Sequence, residues 1–278
     1  MTALWTRVRR HRSAVPGAAL AALVLAAALL APVLAPNDPT AILDAVHGQL
    51  LRPSLAHPLG TDALSRDVLS RLLFGARVSL AVGLTSSVLA AVLGTLVGLV
   101  AGVSGERTDN ALMRAVDVLL ALPRVFLLMT AFALWEGVGF WALVALIGAT
   151  GWFETSRLVR AHVRELRSAD FVTAALALGG GRRRLARHLL PHVAATAIVS
   201  ATLDVGGVIL LEAGLSFLGL GLRPPTATWG NMILEGRDVL FSAPWVALAP
   251  GLALTATVVA FNLLGDAVRD ALDPRAIR

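Results

Sequence analysis

Long apolar stretches alternate with short clusters of charge along the chain. No charged residue falls between Ser13 and Asn37, 25 positions, or between Val78 and Gly105, 28 positions, or between Val239 and Gly265, 27 positions. A helix crossing the ~30 Å hydrocarbon core of a bilayer needs about 20 apolar residues. Three further stretches fit that length less cleanly. Val116–Trp135 carries Arg124 near its start, Gly137–Phe153 is short, and Val193–Leu211 carries Asp204 inside it. The pattern predicts an all-α integral membrane protein of six transmembrane helices.

The predicted organisation is a cytoplasmic N-terminus over 1–13, a first transmembrane helix over 14–35 and an outer loop over 36–76. A core of five helices follows over 77–270, then a cytoplasmic tail over 271–278. The basic leader Arg7, Arg9, Arg10 and Arg12 would also suit a signal peptide. The apolar run Ala14–Leu34 is long for one, so an uncleaved anchor is expected. Within the core, a basic segment over 159–192 and a Gly/Pro-rich outer loop over 216–244 separate the spans. The end of the first outer loop, Ser65–Gly75, repeats Val68, Leu69, Leu72 and Leu73 at helical spacing, which predicts a short helix lying on the membrane surface.

Composition supports this class: 56% hydrophobic, 15% charged, mean hydropathy +0.75. All 24 basic residues are Arg. With the N-terminus inside, seventeen of them fall on inner segments and six on outer ones, and Arg124 is unassigned. That bias predicts both termini in the cytoplasm. The absence of Cys excludes disulfides, thiolate metal sites and thiol nucleophiles, and the absence of Lys excludes a GxxxxGK[ST] phosphate loop and Schiff-base chemistry. No catalytic cluster stands out, so the chain is expected to be non-catalytic, with no cofactor or metal of its own.

Four features could carry function. Gly94, Gly98 and Gly102 repeat every four residues and predict close helix packing. Asp204 near mid-bilayer is expected to line a pathway, or else to meet a hydroxyl on a neighbouring helix. Glu212, at the outer end of the same span, is expected to anchor the following loop. His188 and His192 have metal-ligand spacing, but Pro191 lies between them and no third ligand is near, so they read as interfacial polar residues; His162 and Glu165 read as a solvated face.

The segment SADFVTAALALGGGRRRLARHLLP, residues 168–191, is the most informative. Asp170 can cap a short helix whose apolar side is Phe171, Ala174, Ala175 and Leu178. Gly179 to Gly181 permit a sharp break. A second helix over Arg182–Leu190 is expected to stop at Pro191. A small apolar face on a basic inner helix suits insertion into a protein cleft, or adhesion to anionic lipid.

The stretch Asp170–Pro191 resembles the EAA loop of bacterial ABC-importer permeases. Ala174, Ala175, Gly179, Leu190 and Pro191 match that pattern, while Thr173 stands where the family usually has Glu and the Gly-to-Pro spacing is about one residue short. The blocks His57–Leu84, Leu211–Trp245 and Asn262–Arg275 are similar to the peptide/nickel branch of that family and its "C" type subunit, so the likeness covers nearly the whole chain. The resemblance implies a type I ABC-importer permease fold with a cytoplasmic coupling (EAA) helix. It implies a heterodimer with a homologous second permease in the bacterial cell membrane, two ATPase subunits that carry ATP and magnesium, and an extracytoplasmic solute-binding protein. The coupling residues would be Asp170, Phe171, Ala174, Ala175, Gly179 and Pro191; Asp204 would be a pathway residue; Glu212, Trp229 and Asn231 would belong to the outer loop. Peptides, or a related solute such as a nickel chelate, would be the cargo. The competing expectation is an ion-coupled carrier acting alone, with Asp204 and Glu154 as coupling carboxylates.

Overall fold

The computed structural model describes residues 14–44, 46–135, 138–172 and 181–272. The helices named here are α1 (Ala14–Leu29), α2 (Ala31–Leu34), α3 (Val68–Val103), α4 (Glu106–Ala121), α5 (Arg124–Leu134), α6 (Phe140–Leu166), α7 (Arg182–Phe217), α8 (Trp229–Arg237) and α9 (Trp245–Leu272). Among the described residues the one strand-like pairing is a bridge between Thr61 and Asp67. Three helices, α3, α7 and α9, are long and apolar enough to cross a membrane, or four passages if the bent pair α4–α5 counts as one. Helix α1 is apolar but has 16 residues. Helix α6 is apolar up to Phe153 and charged beyond it.

The glycine stripe places α3 against α6. A Cβ on Gly94 would lie 2.6 Å from Thr155 Cβ, and those on Gly98 and Gly102 would strike the Ser156 carbonyl and Val163. In lipid, helices gain little by hiding apolar surface, so this close approach is what packing has to offer. Around the α3–α6 seam sit three clusters. One joins Ala76, Leu80, Val205, Ile209, Trp229 and Phe261 of α3, α7, α8 and α9. A second joins Val82, Leu128, Ile147 and Val208 of α3, α5, α6 and α7. The third closes the inner end with Leu99, Val159, Val172, Leu185 and Leu189. Helix α1 lies on α9, where a Cβ on Gly17 would come 2.7 Å from Leu263 Cβ.

Four local expectations change. The helix expected on the membrane surface over 65–75 is the first two turns of α3, which starts at Val68. Asp67 caps it, accepting from Ser70 N at 2.8 Å. Its first turns do not face lipid headgroups: Val68 and Arg71 are buried beneath the outer loops. The span expected over 116–135 is broken into α4 and α5, bent by 80°. Pro123 causes this, because the residue before a proline is driven out of the helical region; Leu122 has φ −89° and ψ 127°. Pro191 does not stop a helix, since α7 runs through it. Leu185, Leu189 and Val193 pack into the inner cluster on both sides of Pro191, and that packing outweighs one lost backbone hydrogen bond. Asp170 is itself helical, so it stands in the first turn rather than before it, where its charge still favours the helix N-terminus.

Candidate functional site

At the inner end, the residues between 173 and 180 lie outside the described ones, so Ala174, Ala175 and Gly179 have no structural account. Their flanks do. Val172 is buried in the inner cluster, and Phe171, 43% exposed, lies against His192 with ring centroids 5.2 Å apart. The aromatic anchor of the expected docking face is thereby tied to α7. Pro191 is exposed on that helix. His162 is half-buried and shares a hydrogen bond with Thr196 Oγ1 at 2.7 Å, so it is not on a solvated face. Among the described residues no group of three or more His, Asp or Glu side chains is placed to hold a metal ion.

Just above, the end of α6 is clamped to α4 by charge. Arg160 donates to both oxygens of Asp109, at 2.5 and 2.7 Å, and Arg164 pairs with the same carboxylate. Arg157 pairs with Asp117, and Arg167 donates to the Gly102 carbonyl at 3.1 Å. These arginines recur every three or four residues, which aligns them on one face of α6. Asp109 is 2% exposed and is the buried partner of the set.

Arg124 of α5, Glu154 of α6 and Asp204 of α7 lie around one α6–α7 contact: Glu154 precedes Thr155, whose hydroxyl meets that of Ser200, and Asp204 is one turn beyond Ser200. Arg124 sits at the bend after Pro123 and reaches α6, donating to the Ile147 carbonyl at 2.8 Å and to Thr150 Oγ1 at 3.3 Å. The α6–α7 contact beside it is fixed by a Thr155–Ser200 hydroxyl pair at 3.0 Å. Outward from Asp204 runs an apolar groove of about 380 Å³, lined by Val125, Gly207, Leu210, Leu211, Gly214 and Leu218.

At the outer end, Glu212 is fully buried. Ser216 Oγ donates to it at 2.7 Å and Ser79 Oγ at 3.1 Å. The second outer loop folds onto this point. Trp229 N donates to Ser79 Oγ at 3.3 Å, and its Nε1 to the Leu72 carbonyl at 3.2 Å. Asn231 Nδ2 donates to the Leu222 carbonyl at 2.5 Å, and Thr228 caps α8.

An ionic quartet, buried at Asp62, Arg66 and Arg71 and half-buried at Glu235, joins the first outer loop to α8. Asp62 accepts from Arg66 at 2.7 Å and from Arg71 at 2.5 Å; Glu235 accepts from the same two arginines at 2.7 and 2.5 Å. Beside it His57 meets Asp67 at 3.0 Å. Gly60 turns the loop here at φ +73°, where a Cβ would also collide with Trp245 Nε1. Further out, the Asp38 carboxyl is held below its ordinary range by the hydroxyl and amide of Thr40, and that of Asp44 by the amides of His47 and Val46.

Reading the sequence missed the quartet, because Arg66 and Arg71 count simply as outer charges and Glu235 lies more than 160 residues away. It also left Arg124 unassigned, although a lone arginine after a proline within a span is a signal in its own right.

The chain is similar to known proteins along nearly its whole length. Residues 94–278 match the family described as binding-protein-dependent transport system inner membrane component, and residues 2–53 match the N-terminal TM domain of oligopeptide transport permease C. A putative peptide permease protein of Brucella suis is 43% identical over 275 residues, covering 97% of this chain and 89% of its own length. A putative peptide transport system permease protein of Brucella abortus is 40% identical, covering 97% and 90%. A di/tripeptide transport system permease protein of Pseudomonas aeruginosa is 40% identical, covering 98% and 91%.

Proposed function

The chain belongs to the family of binding-protein-dependent transport system inner membrane components, and from that premise we propose that it forms one half of the pathway by which peptides enter a bacterial cell. It is a permease subunit of an ATP-driven importer. A homologous second permease would supply the other half. Two separate ATPases would supply ATP binding and hydrolysis with magnesium, since a chain without Lys lacks a phosphate-loop lysine. An extracytoplasmic binding protein would deliver cargo to the outer loops, where Leu55 and Phe241 stand fully exposed. Six passages would be made by α1, α3, the α4–α5 pair, α6, α7 and α9, with both termini cytoplasmic. Asp170, Phe171, Ala174, Ala175, Gly179 and Pro191 would form the ATPase-docking module.

The observation that carries this reading is the match along 97% of the chain to peptide permeases. The helices supply a physical route for coupling. Helix α7 continues unbroken from Arg182, beside the docking module, past Asp204 to Glu212 and the outer loop. The arginine face of α6 ties the module's other flank to α4 and so to the bend at Pro123. Closure of the ATPase pair would move both flanks as rigid bodies, which is alternating access.

The test uses the natural absence of Cys. A Phe171→Cys chain in the assembled importer is expected to crosslink to an ATPase subunit carrying a cysteine in its docking cleft, and to do so differently with and without ATP. Import that persists while every ATPase position stays out of reach of residue 171 refutes the docking role. Gly179→Val is expected to abolish transport, or binding of the ATPase, because a β-branched residue opposes the break.

A further inference from the structure

Arg124, Glu154 and Asp204 come from three different helices, yet none neutralises another by contact. Arg124 spends two of its five N–H groups on the Ile147 carbonyl and Thr150. Among the described residues neither Asp204 nor Glu154 has a hydrogen bond or an ion pair, and no carboxylate lies within ion-pair distance of Arg124. A pair kept only for architecture would close to direct contact, because attraction is strong and water scarce at this depth. Glycines line the space around them. Gly151 leaves the slot in which the guanidinium lies, since a Cβ there would be 2.8 Å from Arg124 Nη2. On α7, a Cβ on Gly207 would meet nothing nearer than Asp204 Oδ1 at 4.0 Å, and one on Gly214 would meet nothing at all. The groove is lined by Gly207 and Gly214, one turn and more beyond Asp204, and by Val125, the chain neighbour of Arg124, so it opens beside both charged residues.

We propose that Arg124, Glu154 and Asp204 form an intramembrane station for a zwitterionic cargo, reached along the α7 groove. The planar fork of Arg124 receives the carboxylate end of a short peptide. The carboxylates of Asp204 and Glu154 accept from its ammonium end. The apolar groove takes the rest of the chain without reading side chains. This inference rests on the peptide reading above and adds which residues recognise the cargo and by which chemistry.

The experiment measures binding of tritiated tri-alanine to the complete permease–ATPase complex in detergent, without binding protein. Unlabelled tri-alanine, N-acetyl-tri-alanine and tri-alanine amide serve as competitors. Blocking either end is expected to weaken competition about tenfold or more, as for loss of a hydrogen bond to a charged group. Arg124→Gln is expected to abolish the preference for a free carboxylate and to keep that for a free ammonium. Asp204→Asn and Glu154→Gln are expected to do the converse, and Asp204→Glu to restore the wild-type pattern. If Asp204→Asn fails to assemble, Glu154→Gln carries the same test from the exposed side of α6. No specific binding, or blocked and free peptides competing equally in the wild type, overturns the station, as does a wild-type pattern in the variants. If the charges only hold the partner permease, the variants reduce assembly and the surviving complex keeps its preferences, which also overturns it. ATP-driven import of tri-alanine by the wild-type complex with its binding protein is measured in parallel. Import without terminal recognition defeats the station alone; absence of import defeats the peptide reading as well.

Discussion

Two buried polar groups set what single substitutions should do. Glu212 has its two oxygens matched to Ser216 and Ser79, which fastens α7 to α3 and, through Trp229 N, to the outer loop. Glu212→Ala strands two hydroxyls, each costing about 1–3 kcal/mol when buried. It should lower the melting temperature of the purified chain in detergent, whereas Glu212→Gln, which keeps an oxygen and gains a donor that either serine can accept, should come close to wild type. The ionic quartet has two positive and two negative members, so it is balanced as a unit. Arg71→Met leaves one carboxylate without its counterion and should cost about 3–5 kcal/mol. Arg71→Met with Glu235→Met leaves the balanced Asp62–Arg66 pair and should recover much of that loss in the same melting assay.

At the scale of the element, glycine spacing and proline placement explain the helix contacts that the apolar runs leave undetermined. Gly98 lies where α3 touches the backbone of α6, so Gly98→Leu forces the seam apart and should destabilise by about 3 kcal/mol or more, read as loss of folded chain after detergent extraction. Gly251, in α9, has open space around it. Gly251→Ala should be neutral or stabilise by about 0.5–1 kcal/mol, because glycine inside a helix costs that much. The apolar runs marked the long helices α3, α7 and α9, but not where helices end. Helices α6 and α7 continue well beyond their uncharged stretches as arginine-bearing helices, and a charge count alone cannot tell a helical extension from a loop. The bend at Leu122–Pro123 was written in the sequence, since the residue before a proline resists the helical region, and it went unread because the surrounding stretch is apolar enough to pass for one span.

At the scale of the molecule, the all-helical class and the long apolar helices α3, α7 and α9 were legible because lipid imposes long apolar runs. Contacts between distant segments were not. Arg66 and Arg71 meet Glu235, and Arg160 meets Asp109, across separations that no local pattern encodes. The arginine face of α6 belongs to this scale, because it joins the end of α6 to α4 and so to the elbow that carries Arg124. Asp109→Asn weakens the anchor of two arginines at once. It should leave ATPase binding in place and lower import per ATP hydrolysed, measured by counting both in the same proteoliposomes.

The length of α7 has one more consequence. Its 36 residues make a rod of about 54 Å. Pivoted at its inner tip, such a rod sweeps its far tip by about 9 Å for a tilt of only about 10°. The far tip is where Glu212 and Ser216 grip the loop that carries Trp229. A small rotation imposed at one end of α7 thus becomes, by leverage alone, a displacement at the other nearly as wide as the body of a helix, and no intermediate signal need be relayed from residue to residue.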